Sequence, residues 1–304
     1  MVHESGGRTI ALRGPLHLGR TLAPVRRGRG DPAMVLTERE CWRASRTPDG
    51  PASLHLCVRG EHLDVEVWGP GAAWALEHVG ALVGSDDDPS GFTPAHPVLD
   101  HLRRRLRGLR IGRTGAVAEA LVPTIIEQKV IGSEAKRSYR GLVRRLGEPA
   151  PGPVPPGLTV PPSPARLAAT PSWVFHRLGL ERKRADTIRR TMARAARLEE
   201  ATAMSLPDAY ARLRAFPGVG AWSAAEVALV ALGDADAVSV GDYNLPHQVS
   251  WALAGERQGT DARMLELLEP YRGHRGRVLR LLVAGGTVPP RHGPRLALQP
   301  IAGM

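Results

Sequence analysis

Between two segments of helical apolar spacing the chain reads Phe216-Pro217-Gly218-Val219-Gly220-Ala221-Trp222. Proline lacks an N–H and disfavours helix in the residue before it, so the first helix is expected to end near Phe216. Gly218 and Gly220 carry no Cβ and admit left-handed or crowded backbone. The next helix is expected from about Ala221. The amides of residues 218–222 then lie at a helix start, where no intrahelical carbonyl accepts from them. Aligned donors with the helix dipole behind them attract an anion such as a phosphate. A plain helix–helix corner would use the same glycines for tight packing.

Asp242 follows Gly220 by 22 residues and opens a segment, "YNLPHQVSWAL", with helical spacing. A carboxylate there can cap the helix. It can also stabilise positive charge that develops on a carbon as its leaving group departs, or activate water. An amide would cap equally well but would lack the charge. Trp222 and Tyr271 offer flat aromatic faces, which suit an electron-poor ring, and core packing is the competing use.

These residues need a scaffold. Residues 8–68 alternate apolar and polar side chains between Gly, Pro and Asp, the pattern of half-buried strands. Residues 69–84 switch to helical spacing, with Ala73, Leu76, Val79 and Leu82 on one stripe. The turn-rich "SDDDPSGFTPAHP" (85–97) marks a boundary. From residue 98 onward the spacing is almost wholly helical, with start signals at Ser133, Ser205 and Thr260-Asp261. The Pro-rich residues 148–164 cannot be helix and read as an extended surface connection. The expected class is α+β: an N-terminal antiparallel β-sheet domain with a helix over 1–95, an all-α domain over 96–288, and a loose tail over 289–304.

Composition bounds the partners. Lys and Arg number 41 against 30 Asp and Glu, a formal charge of +11 in 304 residues. Such a balance points first to nucleic acid. Basic runs at 103–113 and 181–197 fit this, although solvated helix faces look the same. Cys41 and Cys57 are the two cysteines, too few for a four-thiolate iron–sulfur site and in keeping with a reducing cytoplasm. No leader peptide and no membrane span is read from the chain. The flanks of a dinucleotide or phosphate-binding glycine loop are missing, so no nucleotide cofactor is expected.

The ordered motifs resemble the helix-hairpin-helix DNA glycosylases, in particular the 3-methyladenine DNA glycosylase II group. The resemblance rests on "FPGVGAW" followed at the family interval by "GDADAVSVGDY". It extends to "LVPTIIEQKVIGSEAKRSYRGLVRRLG" (121–147), "LGLERKRADTIRRTM" (178–192) and "LLEPYRGHRG" (267–276), and covers nearly the whole chain. It implies that Asp242 is catalytic, and that Trp222, Tyr271, Gln128 and the position of Glu226 line a base pocket. It implies that Gly218, Val219 and Gly220 grip a DNA phosphate, with a monovalent cation at the carbonyls near Phe216 and Val219. It places Lys129 where the family carries an apolar wedge, and Arg272 and Arg275 beside the pocket as phosphate contacts. Bifunctional relatives carry Lys at the position of Trp222, so no strand cleavage is expected. The implied protein is a monomeric, cytoplasmic, nucleoid-associated enzyme that removes alkylated purines from double-stranded DNA. Two alternatives stay open: a non-catalytic helix-hairpin-helix DNA-binding protein, and a glycosylase for oxidised or deaminated bases. Glu226 and Lys129 depart from the family pattern, which bears on base selection and base extrusion.

Overall fold

A computed structural model describes residues 5–290 of the chain. Most of the tail expected over 289–304 therefore lies outside the described residues. The architecture is α+β.

Alternating residues in the first part form a five-stranded antiparallel sheet of order β1-β5-β4-β3-β2. The strands are β1 (Ser5–Ala11), β2 (Met34–Leu36), β3 (Glu40–Thr47), β4 (Gly50–Arg59) and β5 (His62–Trp68). Period-2 patterning works as expected: Leu54, Leu56, Leu63, Val65 and Val67 face one buried side. They pack under α2 (Ala72–Leu82) and under α1 (Leu18–Leu22), a short helix that the strand-like patterning concealed. The opposite face carries a stack of Trp68, Trp42 and His55.

The remaining helices are α3 (Pro97–Arg105), α4 (Val117–Glu127), α5 (Gly132–Leu146), α6 (Pro164–Ala169), α7 (Ser172–Arg177), α8 (Arg182–Met192), α9 (Ala195–Glu199), α10 (Leu206–Arg214), α11 (Ala221–Val227), α12 (Leu245–Ala254), α13 (Asp261–Leu268) and α14 (Arg275–Gly285). They build two cores. Apolar faces of α4, α5, α8, α10 and α11 share one, and those of α3, α12, α13 and α14 share the other. Ser205 and Thr260 cap their helices as expected, through Asp208 N and Arg263 N. Ser133 does not: α5 starts one residue earlier, behind Ile131. The Pro-rich connection is also more ordered than expected. It pairs β6 (Glu148–Pro149) with β7 (Thr159–Val160), and Leu158 and Val160 pack against Ala44 of the sheet.

Helix α4 is pinned along its length. Glu199 accepts from the amides of Val117 and Ala118 at its start. Glu119 accepts from Arg43, Ser45 and the Arg46 amide of β3, tying the helix to the sheet. Buried Arg184 donates to the Ile126 carbonyl near its end. That end carries Gln128 and Lys129.

Candidate functional site

The hairpin forms where the glycines require it. Phe216 and Val219 are buried in the first helical core, and the Val219 amide donates to the Phe216 carbonyl at 3.0 Å. Gly218 sits at φ +95°, and a Cβ there would meet Thr187 Cγ2 at 2.7 Å. Only glycine fits. Gly220 is different: its φ is −91°, and a Cβ would meet nothing within 4 Å. Neither a left-handed backbone nor a crowded neighbour demands glycine there. Gly220 is the N-cap residue of α11, and no side chain caps that helix.

Gln128 closes the hairpin from behind. Its amide nitrogen donates to the Gly218 carbonyl and to Ser223 Oγ, both at 2.9 Å. Both amide hydrogens are thus spent on the hairpin, and Gln128 is not a freely solvated helix end. Lys129 follows at φ +54°, the sole non-glycine residue with positive φ among the described residues, and it is exposed. A side chain in the left-handed region costs energy and marks a constrained position.

Asp242 is half-buried. Its Oδ1 accepts from the amides of Asn244, the N-cap residue of α12, and Leu245, the first residue of that helix, at 2.7 and 2.9 Å. Its Oδ2 accepts from the Trp222 indole Nε1 at 3.2 Å. The helix start and the aromatic partner therefore engage different oxygens.

The loop that delivers Asp242 is held at intervals. Tyr210 OH donates to buried Asp234 at 2.8 Å. Asp236 accepts from the amides of Gly273 and Arg275 and from the Arg275 guanidinium. Ser239 Oγ is hydrogen-bonded to Glu226, and the Ser239 carbonyl accepts from the Asp242 amide at 3.2 Å. Asp261 receives the Gly241 amide at 3.1 Å on each oxygen. Burial would raise the Asp236 carboxyl, but the bonds from Arg275 and the two amides outweigh it and hold it below the usual range.

Helix α11 turns one stripe toward the same region. Trp222 and Glu226 are partly buried, whereas Ser223, Ala224, Ala225 and Val227 are buried. Glu226 lies one turn beyond Trp222 on that stripe. Burial pushes its carboxyl above the usual range, against the Ser239 hydroxyl and Arg27, which lower it. The nearby Arg280 is buried deeply enough that its pKa falls to about 10, and it donates to the Arg20 carbonyl at 2.9 Å.

Two expected site residues sit otherwise than expected. Tyr271 is only 7% exposed and packs beside Phe92 in the second helical core, so its ring offers no open stacking face. Arg275 is committed to Asp236, with Nη2 2.5 Å from the carboxylate, and serves as a structural clamp. A third, Arg272, stays exposed at the surface, where it pairs with Glu269 at 2.7 Å. Much of the basic run at 103–113 is likewise engaged: Arg110 donates to three carbonyls of residues 13–15, and Arg113 pairs with Asp86. The holding roles of Ser239, Asp261 and Arg280 carried no local signal, because their partners are 13 or more residues away in sequence.

This architecture and hairpin define a fold class. The chain has the fold of the helix-hairpin-helix DNA glycosylases. It is similar to a 3-methyladenine DNA glycosylase from Archaeoglobus fulgidus, with TM-score 0.74 and 18% identity over 91% of this chain and 97% of that one. It is also similar to an 8-oxoguanine glycosylase/lyase from Clostridium acetobutylicum, with TM-score 0.66 and 15% identity over 93% and 98%. A 3-methyladenine DNA glycosylase from Schizosaccharomyces pombe, in complex with abasic DNA, matches at TM-score 0.50 and 16% identity over 62% and 91%. No protein-family model and no curated protein matches the chain.

Proposed function

We propose that the protein is a monofunctional DNA glycosylase that hydrolyses the N-glycosidic bond of damaged purines, with alkylated purines of the 3-methyladenine type as substrates. One observation carries the reading. A half-buried carboxylate, Asp242, is fixed by a helix start on one oxygen and by an indole N–H on the other, beside a glycine hairpin.

The parts fit the chemistry. As the base leaves, the sugar gains oxocarbenium character, and the Asp242 carboxylate stabilises that charge or orients water. The hairpin amides hold a backbone phosphate of double-stranded DNA without reading sequence. A monovalent cation at the Phe216 and Val219 carbonyls would strengthen that contact. Trp222 supplies the face on which an extruded base stacks. Exposed Lys129 carries an apolar stem and a charge that can meet a phosphate. The +11 charge makes binding steep in salt.

No lysine stands at the hairpin position that Trp222 fills, so an abasic site with an intact strand is the expected product. A monomer acting on nucleoid DNA completes the reading. Among the described residues, no helix is long and apolar enough to cross a membrane.

The test is direct. Duplex DNA treated with a methylating agent is incubated with the protein, and the released bases are identified by chromatography. Strand breaks are scored before and after alkali. Free 3-methyladenine with alkali-dependent breaks supports the reading. DNA binding without release of any base from methylated DNA would sink the alkylated-purine reading and leave the non-catalytic alternative and a glycosylase for oxidised or deaminated bases, which duplexes carrying those lesions separate.

A further inference from the structure

Glu226 is not needed for the chemistry above, yet it neighbours the residues that chemistry uses. It lies one helical turn from Trp222 on the partly buried stripe of α11. Its carboxyl is bonded to Ser239, whose carbonyl accepts the Asp242 amide. The charged groups facing it come from four elements: Arg27 after α1, Glu127 at the end of α4, Asp242 before α12, and Arg280 of α14. The cations are partly engaged elsewhere. Arg27 pairs with Glu127 at 3.4 Å, and Arg280 donates to the Arg20 carbonyl. Glu226 thus has no ion-pair partner of its own within 4 Å among the described residues.

Resting on the glycosylase reading, we infer that Glu226 is the general acid that protonates the departing base, and that it extends the substrate range to neutral purines. A cationic alkylated purine leaves as a neutral molecule and needs no proton. A neutral purine would leave as an anion unless a proton is supplied, so its release needs a donor. In the step proposed, the bond between C1′ and N9 breaks and its electron pair goes to the base. The Glu226 proton moves to a ring nitrogen of that purine, leaving Glu226 as carboxylate. The Asp242 side chain faces the cationic sugar. Water adds its oxygen to C1′, and its proton returns to Glu226 through solvent. One water is consumed; a free base and an abasic sugar result. The raised pKa of the Glu226 carboxyl keeps the donor protonated further toward neutrality than a free glutamate.

Two duplexes separate this role from a merely structural one: one carries hypoxanthine, a neutral purine, and the other 7-methylguanine, a cationic one. Base release is measured in single turnover from about pH 5 to about pH 8, for the wild type and for Glu226→Gln, whose amide can keep the Ser239 bond. The wild-type hypoxanthine rate should fall about tenfold per pH unit above the Glu226 pKa, while the 7-methylguanine rate stays flat. Glu226→Gln should lose about 100-fold on hypoxanthine and stay within about threefold on 7-methylguanine. Equal loss on both duplexes would make Glu226 only a brace for the Asp242 loop and overturn the proposal. So would an unchanged hypoxanthine rate in the variant, or wild-type release of 7-methylguanine alone at every pH. Release of neither base by a wild type that frees 3-methyladenine from methylated DNA would also overturn the proposal, whereas release of none of the three would sink the glycosylase reading.

Discussion

The indole Nε1 of Trp222 donates to Oδ2 of Asp242 across 3.2 Å. The two residues belong to α11 and to the loop before α12, helices whose apolar faces are buried in different cores. The bond therefore spans the junction between the two helical cores. It leaves Oδ1 to the amides of Asn244 and Leu245 at the start of α12, so holding the helix and chemistry do not compete for one oxygen.

Asp242→Asn should keep the fold and lose turnover. Its side-chain oxygen still accepts from Asn244 and Leu245, while its amide nitrogen no longer accepts from the Trp222 indole, so stability should fall by about 1–3 kcal/mol. Base release should fall by about 100- to 1000-fold, because a neutral amide does not stabilise a cationic sugar. Thermal melting and single-turnover release on methylated DNA measure the two effects. An Asn variant as fast as the wild type removes Asp242 from the mechanism.

Trp222→Phe keeps an aromatic face and deletes the donor to Oδ2. A hydrogen bond to a charged acceptor is worth about 1.5–3 kcal/mol. Release should slow by about tenfold or more, with DNA affinity little altered. If affinity falls and the rate of bound complex does not, the indole serves stacking alone.

The hairpin glycines should part company. Gly218→Ala forces φ +95° on an L side chain and drives its Cβ into Thr187, so melting temperature and DNA affinity should both drop, with about 1–3 kcal/mol lost in stability. Gly220→Ala meets open space and an ordinary φ, so melting should barely move. Its methyl would still crowd a phosphate seated on the hairpin amides, so affinity should fall. A Gly220→Ala protein with wild-type affinity would show that no ligand comes close to that backbone.

The clamp of Asp236 and Arg275 should appear in acid. The native carboxyl stays ionised to lower pH than in the unfolded chain, so the unfolded state takes up the proton first. The contribution is complete above the ordinary carboxylate range and is lost as pH falls through the depressed native value. Arg275→Ala should lower the melting temperature at neutral pH and flatten its decline in acid. It should leave the salt dependence of DNA binding unchanged, because the guanidinium is bound to Asp236 and not to phosphate. A shallower salt slope would restore Arg275 as a DNA contact.

Some of this was legible from local pattern. Alternation in "HLDVEVW" marks a strand one face of which must be buried. Pro217 with Gly218 marks a broken helix pair, and Asp242 before "LPHQV" marks a helix start. Each is a short-range steric or hydrogen-bonding constraint, so each can be read from a few neighbouring residues. The short helix α1 and the β6–β7 ribbon were not legible, because both are stabilised by the sheet they pack on.

The site divides along the same line. Residue types and spacing alone determined the hairpin, the carboxylate that follows it and the aromatic residue beside it. Tertiary structure decided that Trp222 reaches Asp242, that Gln128 braces Gly218, that Tyr271 is core and that Arg275 is a clamp. It also bound Glu226 to Ser239. The physical reason is that hydrogen bonds and burial act through space: which of two exposed-looking side chains meets a partner depends on how separate cores pack, and no local window of sequence encodes that.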